Sequence, residues 1–275
     1  MKRVLLYLLY CLRNILARSA IVDPDGAAVV TLTSHADRIG RAFAAIESIS
    51  RGRCLPRRIL LYLGRQHEGE PLPHGLLRLR RRGLEIVYVD DVGPHTKYYP
   101  WLLANDRFDH PLATADDDKL YPRNWLAGLL DAYRARPDLI HCWRAREIRT
   151  GADGLRPYRE WPLCATTHAA FRHLATGVGG VIYPPAFLRA LRSAGDRFRD
   201  CCPKADDLWL HVTALREGFR VRQVEGQACE FTGIPYSSGS ALQRTNMDGG
   251  QNDTQAARTY TDSDLARLMQ EAVDA

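Results

Sequence analysis

The segment LATADDDKLYP, residues 112–122, sets three consecutive aspartates at the end of a short apolar run. Adjacent carboxylates repel, so such a run needs water or cations around it. A solvated acidic turn meets that need. A strand end opening on a ligand site meets it equally well. The surroundings separate the two readings. AAVVTLTS (27–34), RRILLYLG (57–64), LEIVYVDD (84–91), HPLATADDD (110–118) and DLIHCWRAR (138–146) are apolar runs of strand length. Helical patterns lie between them. RIGRAFAAIESISRG (38–52) puts Ile39, Phe43, Ile46 and Ile49 on one face; LPHGLLRLRRRG (72–83), TKYYPWLLAN (96–105) and RNWLAGLLDAYRARP (123–137) follow. Strands alternating with helices predict an α/β fold with a mostly parallel central sheet flanked by helices. Ligands bind such sheets at the carboxyl ends of the strands, and the aspartate run sits at one of those ends.

The second half is less regular. TGVGGVIYPP (176–185) is glycine-rich and then apolar, without the spacing or lysine of a phosphate cradle. AFLRALRSAG (186–195), CCPKADDLWLHVTALREG (201–218, after a loop) and SDLARLMQEAV (263–273) read as helices. SGSALQRTNMDGGQNDTQ (238–255) is polar and reads as a mobile segment able to order over a ligand. No internal repeat or clear linker divides the chain. The expected organisation is a basic amphipathic helix over 1–20, an α/β body over 27–235, and a mobile segment with a closing helix over 236–275.

The 275 residues suffice for one large α/β domain, and 45% hydrophobic with 25% charged residues is ordinary for a folded protein. The net charge of +6 comes from a chain whose only lysines are Lys2, Lys97, Lys119 and Lys204. An arginine bias of this kind reflects composition, and no basic patch interleaves with aromatics, so nucleic acid is not an expected partner. RLRRRG (78–83) reads as a solvated helix end. Seven cysteines without a C-x-x-C pair exclude a zinc or disulfide framework and suit reduced thiols in the cytoplasm. In MKRVLLYLLYCLRNILARSA (1–20), the apolar stretch Val4–Leu12 is too short to span a bilayer. As a helix it carries Leu5, Leu8, Leu9, Leu12 and Leu16 in one stripe, with Lys2, Arg3, Arg13 and Arg18 for anionic headgroups. A helix on the inner membrane surface is the preferred reading. A helix packed on the protein's own core, or a signal peptide, are the other two.

Carboxylates suit Mg2+ or Mn2+, which keep positions for water and phosphate. In an extended strand end, Asp116 and Asp118 point to one side and Asp117 to the other. KADDLW (204–209) supplies a second pair, Asp206 and Asp207, before an apolar helix. Two roles are open to it: helix capping by Asp206, or a general base for a hydroxyl nucleophile. Three of the four lysines, Lys97, Lys119 and Lys204, fall beside acidic motifs or in HTKYYP, where an amine would offset phosphate charge.

In order along the chain, VVTLTSHADRI, GLEIVYVDDVGPHTKYYP, TADDDKLYPRNWL, GVGGVIYPP and KADDLWL resemble bacterial GT-A glycosyltransferases of a family-two-like group linked to surface polysaccharide synthesis. The resemblance spans roughly 27–235 and is most specific at the two acidic motifs. It implies a GT-A-like, Rossmann-like fold, a nucleotide-sugar donor (UDP-linked favoured), a divalent metal, and transfer to a hydroxyl of a glycan or lipid-linked glycan. It assigns Asp116 and Asp118 to metal and diphosphate, Asp117 to the donor ribose or sugar, and Asp207 or Asp206 to the base of an inverting displacement. Thr33, Ser34 and Arg38 match the nucleotide-holding end of the first strand, and Lys97 faces the donor. The chain departs from the pattern in having Asp-Asp where Glu-Asp is usual. A third protein ligand is not evident; His141, His168, His211 and Asp253 are candidates. Trp101, Tyr121, Trp125, Trp161 and Trp209 are candidates for a sugar-stacking face, with core packing as the ordinary alternative. The rival functions are another metal-dependent nucleotide-processing enzyme and a non-catalytic nucleotide- or glycan-binding domain.

Overall fold

The computed structural model describes residues 2–151, 154–235 and 250–273. Eight strands form the central sheet: β1 (Val29–Ser34), β2 (Arg58–Gly64), β3 (Leu84–Val89), β4 (Leu112–Thr114), β5 (Ile140–Cys142), β6 (Ala169–Ala170), β7 (Val181–Tyr183) and β8 (Val221–Gln223). Their order across the sheet is β6–β8–β5–β7–β4–β1–β2–β3. Pairing is parallel for β1 with β2 and β4, β2 with β3, and β5 with β8. It is antiparallel for β7 with β4 and β5, and for β6 with β8. Six strands therefore run one way, and β6 and β7 run against them.

The helices are α1 (Lys2–Leu16), α2 (Ala42–Ser50), α3 (His74–Arg80), α4 (Tyr99–Ala104), α5 (Trp125–Ala135), α6 (Pro185–Ser193), α7 (Phe198–Cys201), α8 (Asp206–Arg216), α9 (Gln251–Thr259) and α10 (Asp262–Val273). Strand alternation sorts them into two layers. Ile59, Leu61 and Leu63 of β2 pack with Tyr10, Ile46, Leu76 and Leu129 from α1, α2, α3 and α5. Leu60 and Tyr62 face the other way, toward Leu102, Leu188, Leu208 and Leu268 from α4, α6, α8 and α10. Each such burial contributes roughly 1.5–3 kcal/mol. A one-residue slip would exchange the two faces of the strand, so the register is strongly specified.

Two regions differ from the sequence reading. The fifth strand breaks after Cys142, and Ala145–Glu147 pairs instead with His173–Ala175 in a separate ribbon. TGVGG feeds β7, which inserts antiparallel between β4 and β5. Gly180 at φ +84 makes that entry feasible, because a Cβ there would lie 2.5 Å from the Trp125 indole. The 238–255 segment also differs: residues 251–259 form α9, whose Gln255 Oε1 accepts the Lys204 N–H at 2.8 Å. The rest of that segment up to residue 249, with its expected ordering over a ligand, lies outside the described residues.

The N-terminal helix packs on the core through one face only. Asn14 is buried and donates to Glu47 Oε1 at 3.0 Å, and Arg13 meets Glu47 Oε2 at 3.0 Å. Arg82 pairs with the same fully buried carboxylate, and Arg78 donates to Asn14. RLRRRG is thus only partly a solvated face: two of its arginines turn inward to fasten α1, while Arg80 and Arg81 are exposed. The opposite face of α1 is bare. Val4, Leu5, Leu8, Leu9, Leu12, Ile15 and Leu16 are each 43–63% exposed. Only Leu103 and Leu163 join them as exposed large apolar residues among those described. No described helix is long and apolar enough to cross a membrane.

Candidate active site

A cavity of about 510 Å3 opens at the carboxyl ends of β1 and β4. Asp116, Asp117 and Asp118 line it together, just past β4, with Thr33 and Arg38 from the end of β1. Lys97 enters from the segment before α4, and Asp206 and Asp207 from the first turn of α8. The two acidic motifs, distant in sequence, therefore share one cavity. His95 ties the segments that deliver Lys97 and Asp206: it lies two residues before Lys97, and its Nε2 meets at 2.8 Å the carbonyl of Cys202, four residues before Asp206.

Protein cations match the three aspartates. Lys97 Nζ lies 2.6 Å from Asp116 Oδ1. Burial alone would raise the Asp116 carboxyl, but Lys97, with Lys119 and Arg38, holds it below the usual carboxylate range. Asp117 is buried, accepts Ser34 Oγ at 2.5 Å, and is paired with Arg38. Burial nonetheless keeps its carboxyl above the ordinary value. Asp118 lies 3.4 Å from Arg38 and 3.2 Å from Lys119. Repulsion within the run is thus relieved inside the protein, which removes it as an independent reason to expect a bound cation. Ser34 stands behind the cavity wall as the support of Asp117, and both Asp117 oxygens are occupied by β1-side partners.

The second pair is matched less fully. Ala205, not Asp206, is the cap of α8, and no side chain caps it, so the capping reading of Asp206 fails. Asp206 Oδ2 lies 3.6 Å from Lys97. Asp207 Oδ1 accepts the Gly177 N–H at 3.0 Å. Burial, then repulsion from Asp206, pushes the Asp207 carboxyl up to about 8, against the attraction of Lys97. Burial would lower Lys97, yet Asp116, Asp206 and Asp207 together hold it well above the usual amine. A Cβ at Gly177 would stand 2.9 Å from Lys97 Nζ, so a side chain there would displace the amine.

All three clustered lysines, Lys97, Lys119 and Lys204, line the cavity. The candidate third ligands do not. His141 binds the Arg136 carbonyl, His211 lies between the Phe171 carbonyl and the Tyr260 hydroxyl, Asp253 accepts the Tyr158 N–H, and His168 is exposed on the surface. Trp101, Tyr121, Trp125, Trp161 and Trp209 are core residues, and none lines the cavity. Tyr121 supports the site from below, its hydroxyl accepting the Asp116 N–H at 2.7 Å. Residues not singled out from the sequence also line the cavity: Asp91, Arg144, Arg146, Tyr158, Thr176 and Asn252. Arg144 and Asp91 follow strands β5 and β3, so the strand-end rule had a signal for them; Tyr158 and Asn252 arrive through loop and helix packing alone.

No protein-family model matches the sequence, and no curated protein matches it. Among solved structures, the fold is similar to a mannosyltransferase from Pyrobaculum calidifontis in complex with GDP-Man and Mn2+. The TM-score is 0.54 at 16% identity, over 98% of this chain and 76% of that one. A 4-diphosphocytidyl-2C-methyl-D-erythritol synthase from Anaerococcus prevotii DSM 20548 aligns with a TM-score of 0.49 at 12% identity, over 76% of this chain and 94% of that one. The architecture is a GT-A-like, Rossmann-type α/β fold, and it is the fold alone that the similarity to the mannosyltransferase establishes.

Proposed function

We propose that the protein is a glycosyltransferase that moves a sugar from a nucleoside-diphosphate donor to a hydroxyl of a glycan or lipid-linked glycan, with inversion, in surface polysaccharide synthesis. One observation carries the reading. A carboxylate run matched by Arg38, Lys97 and Lys119 shares a cavity with a second carboxylate whose protonation midpoint is about 8. In this reading, Thr33, Arg38, Lys97 and the aspartate run receive the donor, UDP-linked by preference. Asp207 takes the proton of the attacking hydroxyl, and its raised midpoint makes it a stronger base than an ordinary carboxylate. The Gly177 N–H fixes the Asp207 oxygen that is not needed for the proton.

The donor set suits Mg2+ or Mn2+ at Asp116 and Asp118. Asp118 Oδ1 is buried and makes no hydrogen bond, its close contact being the Lys119 amine at 3.2 Å. No group of three His, Cys, Asp or Glu among the described residues is arranged to hold a metal. Bound there, the ion would offset charge on the departing diphosphate. The bare aliphatic face of α1 supports peripheral contact with the inner face of the cytoplasmic membrane.

The test is nucleotide release from UDP-, GDP-, CMP- and dTDP-sugars with Mn2+, Mg2+ or EDTA, with Asp116→Ala, Asp118→Ala and Asp207→Asn alongside. Metal-dependent release from one donor, lost in the first two variants, is expected. Absence of release together with absence of metal-dependent nucleotide binding by calorimetry overturns the reading. Flotation with phosphatidylglycerol vesicles tests the helix: wild type floats, and Leu8→Ser with Leu12→Ser does not.

A further inference from the structure

Arg38, Lys97 and Lys119 each face an aspartate of the cavity at ion-pair distance. Arg144 and Arg146 line the same cavity and meet only neutral partners among the described residues. Arg144 Nη1 donates to Thr176 Oγ1 at 3.0 Å. Arg146 Nη1 donates to the Trp161 carbonyl at 2.5 Å, and its guanidinium lies 5.2 Å from the Tyr158 ring centroid. The break after Cys142 creates this pair, because residues two apart in an extended segment point the same way.

The arrangement is built rather than loose. The Thr176 N–H donates to the Arg144 carbonyl at 2.9 Å, and Arg146 sits in register with Leu174. A Cβ at Gly179 would fall 2.9 Å from Arg144 Cβ, so that glycine makes room for the side chain. The Tyr158 backbone is clamped by Asp253 of α9 at 2.6 Å. Burial, then the neighbouring Arg146, lowers Arg144 from its usual value, with Glu230 and Asp207 acting the other way. Two neighbouring guanidinium groups with no carboxylate at ion-pair distance among the described residues, Glu230 of the same cavity included, favour an anion that joins them.

Location indicates whose anion this is. Arg144 is bonded to Thr176, and the N–H of the next residue, Gly177, holds Asp207 at 3.0 Å, so this end of the cavity is the end next to Asp207. The diphosphate end has its own cations. We infer that Arg144, Arg146 and Tyr158 bind an anionic oxygen group, phosphate or carboxylate, carried by the acceptor near the hydroxyl that Asp207 deprotonates. The inference rests on the proposed function for the assignment of the Asp207 side to the acceptor. The guanidinium fork suits two-point contact with either anion.

Calorimetry with four probes tests it: inorganic phosphate, glucuronate, a short-chain phosphatidic acid below its micelle concentration, and neutral glucose. The protein is first loaded with Mn2+ and the nucleoside diphosphate of its donor, and the nucleotide affinity is recorded separately. Saturable binding of at least one anionic probe is expected, with glucose silent. The double variant Arg144→Gln, Arg146→Gln should weaken it at least about tenfold, with Arg146→Lys retaining part of it and the nucleotide affinity unchanged. Binding confined to phosphatidic acid identifies a lipid phosphate as the source. Equal binding of phosphate and glucuronate identifies a soluble acidic or phosphorylated glycan. No anion binding, or anion binding indifferent to the double variant, overturns the inference. So does a loss of nucleotide affinity in the variants, which would move both arginines to the donor. Failure of wild type to bind nucleotide counts against the donor reading instead, and the anion titration on unloaded protein still reports on the arginines.

Discussion

The two acidic motifs of the cavity are made of the same residue and behave differently. Asp116–Asp118 is met by three cations from three segments, and Asp116 is held ionised below the usual range. Asp206–Asp207 has Lys97 on one side at 3.6 Å and a backbone N–H on the other, and Asp207 is pushed up to about 8. Count of nearby cations, not residue type, separates a carboxylate suited to holding charge from one suited to taking a proton.

The largest effect should come from removing the base. Asp207→Asn keeps an oxygen for the Gly177 N–H but cannot take a proton, so transfer should fall by roughly 10²–10⁴-fold, with nucleotide affinity retained in calorimetry. Asp118→Asn should do the opposite, weakening metal-dependent nucleotide binding in the same titration. If both variants lose binding equally, the distinction between the motifs collapses.

The pH profile sharpens the comparison next. Transfer should rise with pH to a plateau above about 8, because Asp207 acts in its ionised form. Lys97→Met removes a cation that faces both motifs, so this limb should move to higher pH. An unmoved limb would show that Lys97 does not set the Asp207 midpoint.

The smallest effect is on stability. The folded state keeps the Asp207 proton up to about pH 8, whereas the unfolded chain releases it near 3.8. The folded state therefore binds more protons between these values, and Asp207's contribution to stability is lost as pH rises through that window. Asp207→Asn should accordingly raise the melting temperature at pH 9 but not at pH 4, by about 2–4 °C for each kcal/mol regained. Equal shifts at both pH values would assign the change to packing.

The alternation of apolar runs with helical patterns was enough to read the parallel half of the sheet, β1 to β4, because each strand's core is written in local hydrophobic order. The acidic motifs and the rare lysines were legible as well, since clustered charges are conspicuous in one dimension. The reversed strand β7 was not, because its place between β4 and β5 and the close approach of Gly180 to the Trp125 ring, 55 residues earlier, are contacts between distant segments. Nor was the fate of α1, where the stripe of leucines was visible but the buried Glu47 that turns the other face inward was not. The sequence by itself determined the fold class, the strand-end position of Asp116–Asp118 and the pairing of Asp206 with Asp207. Only the tertiary structure decided which cations neutralise which carboxylates, that burial pushes the Asp207 carboxyl up to about 8, and that Arg144 and Arg146 stand in the same cavity with no carboxylate at ion-pair distance among the described residues. Burial and charge proximity are properties of space, and at this site they join residues about 110 positions apart, as with Lys97 and Asp207.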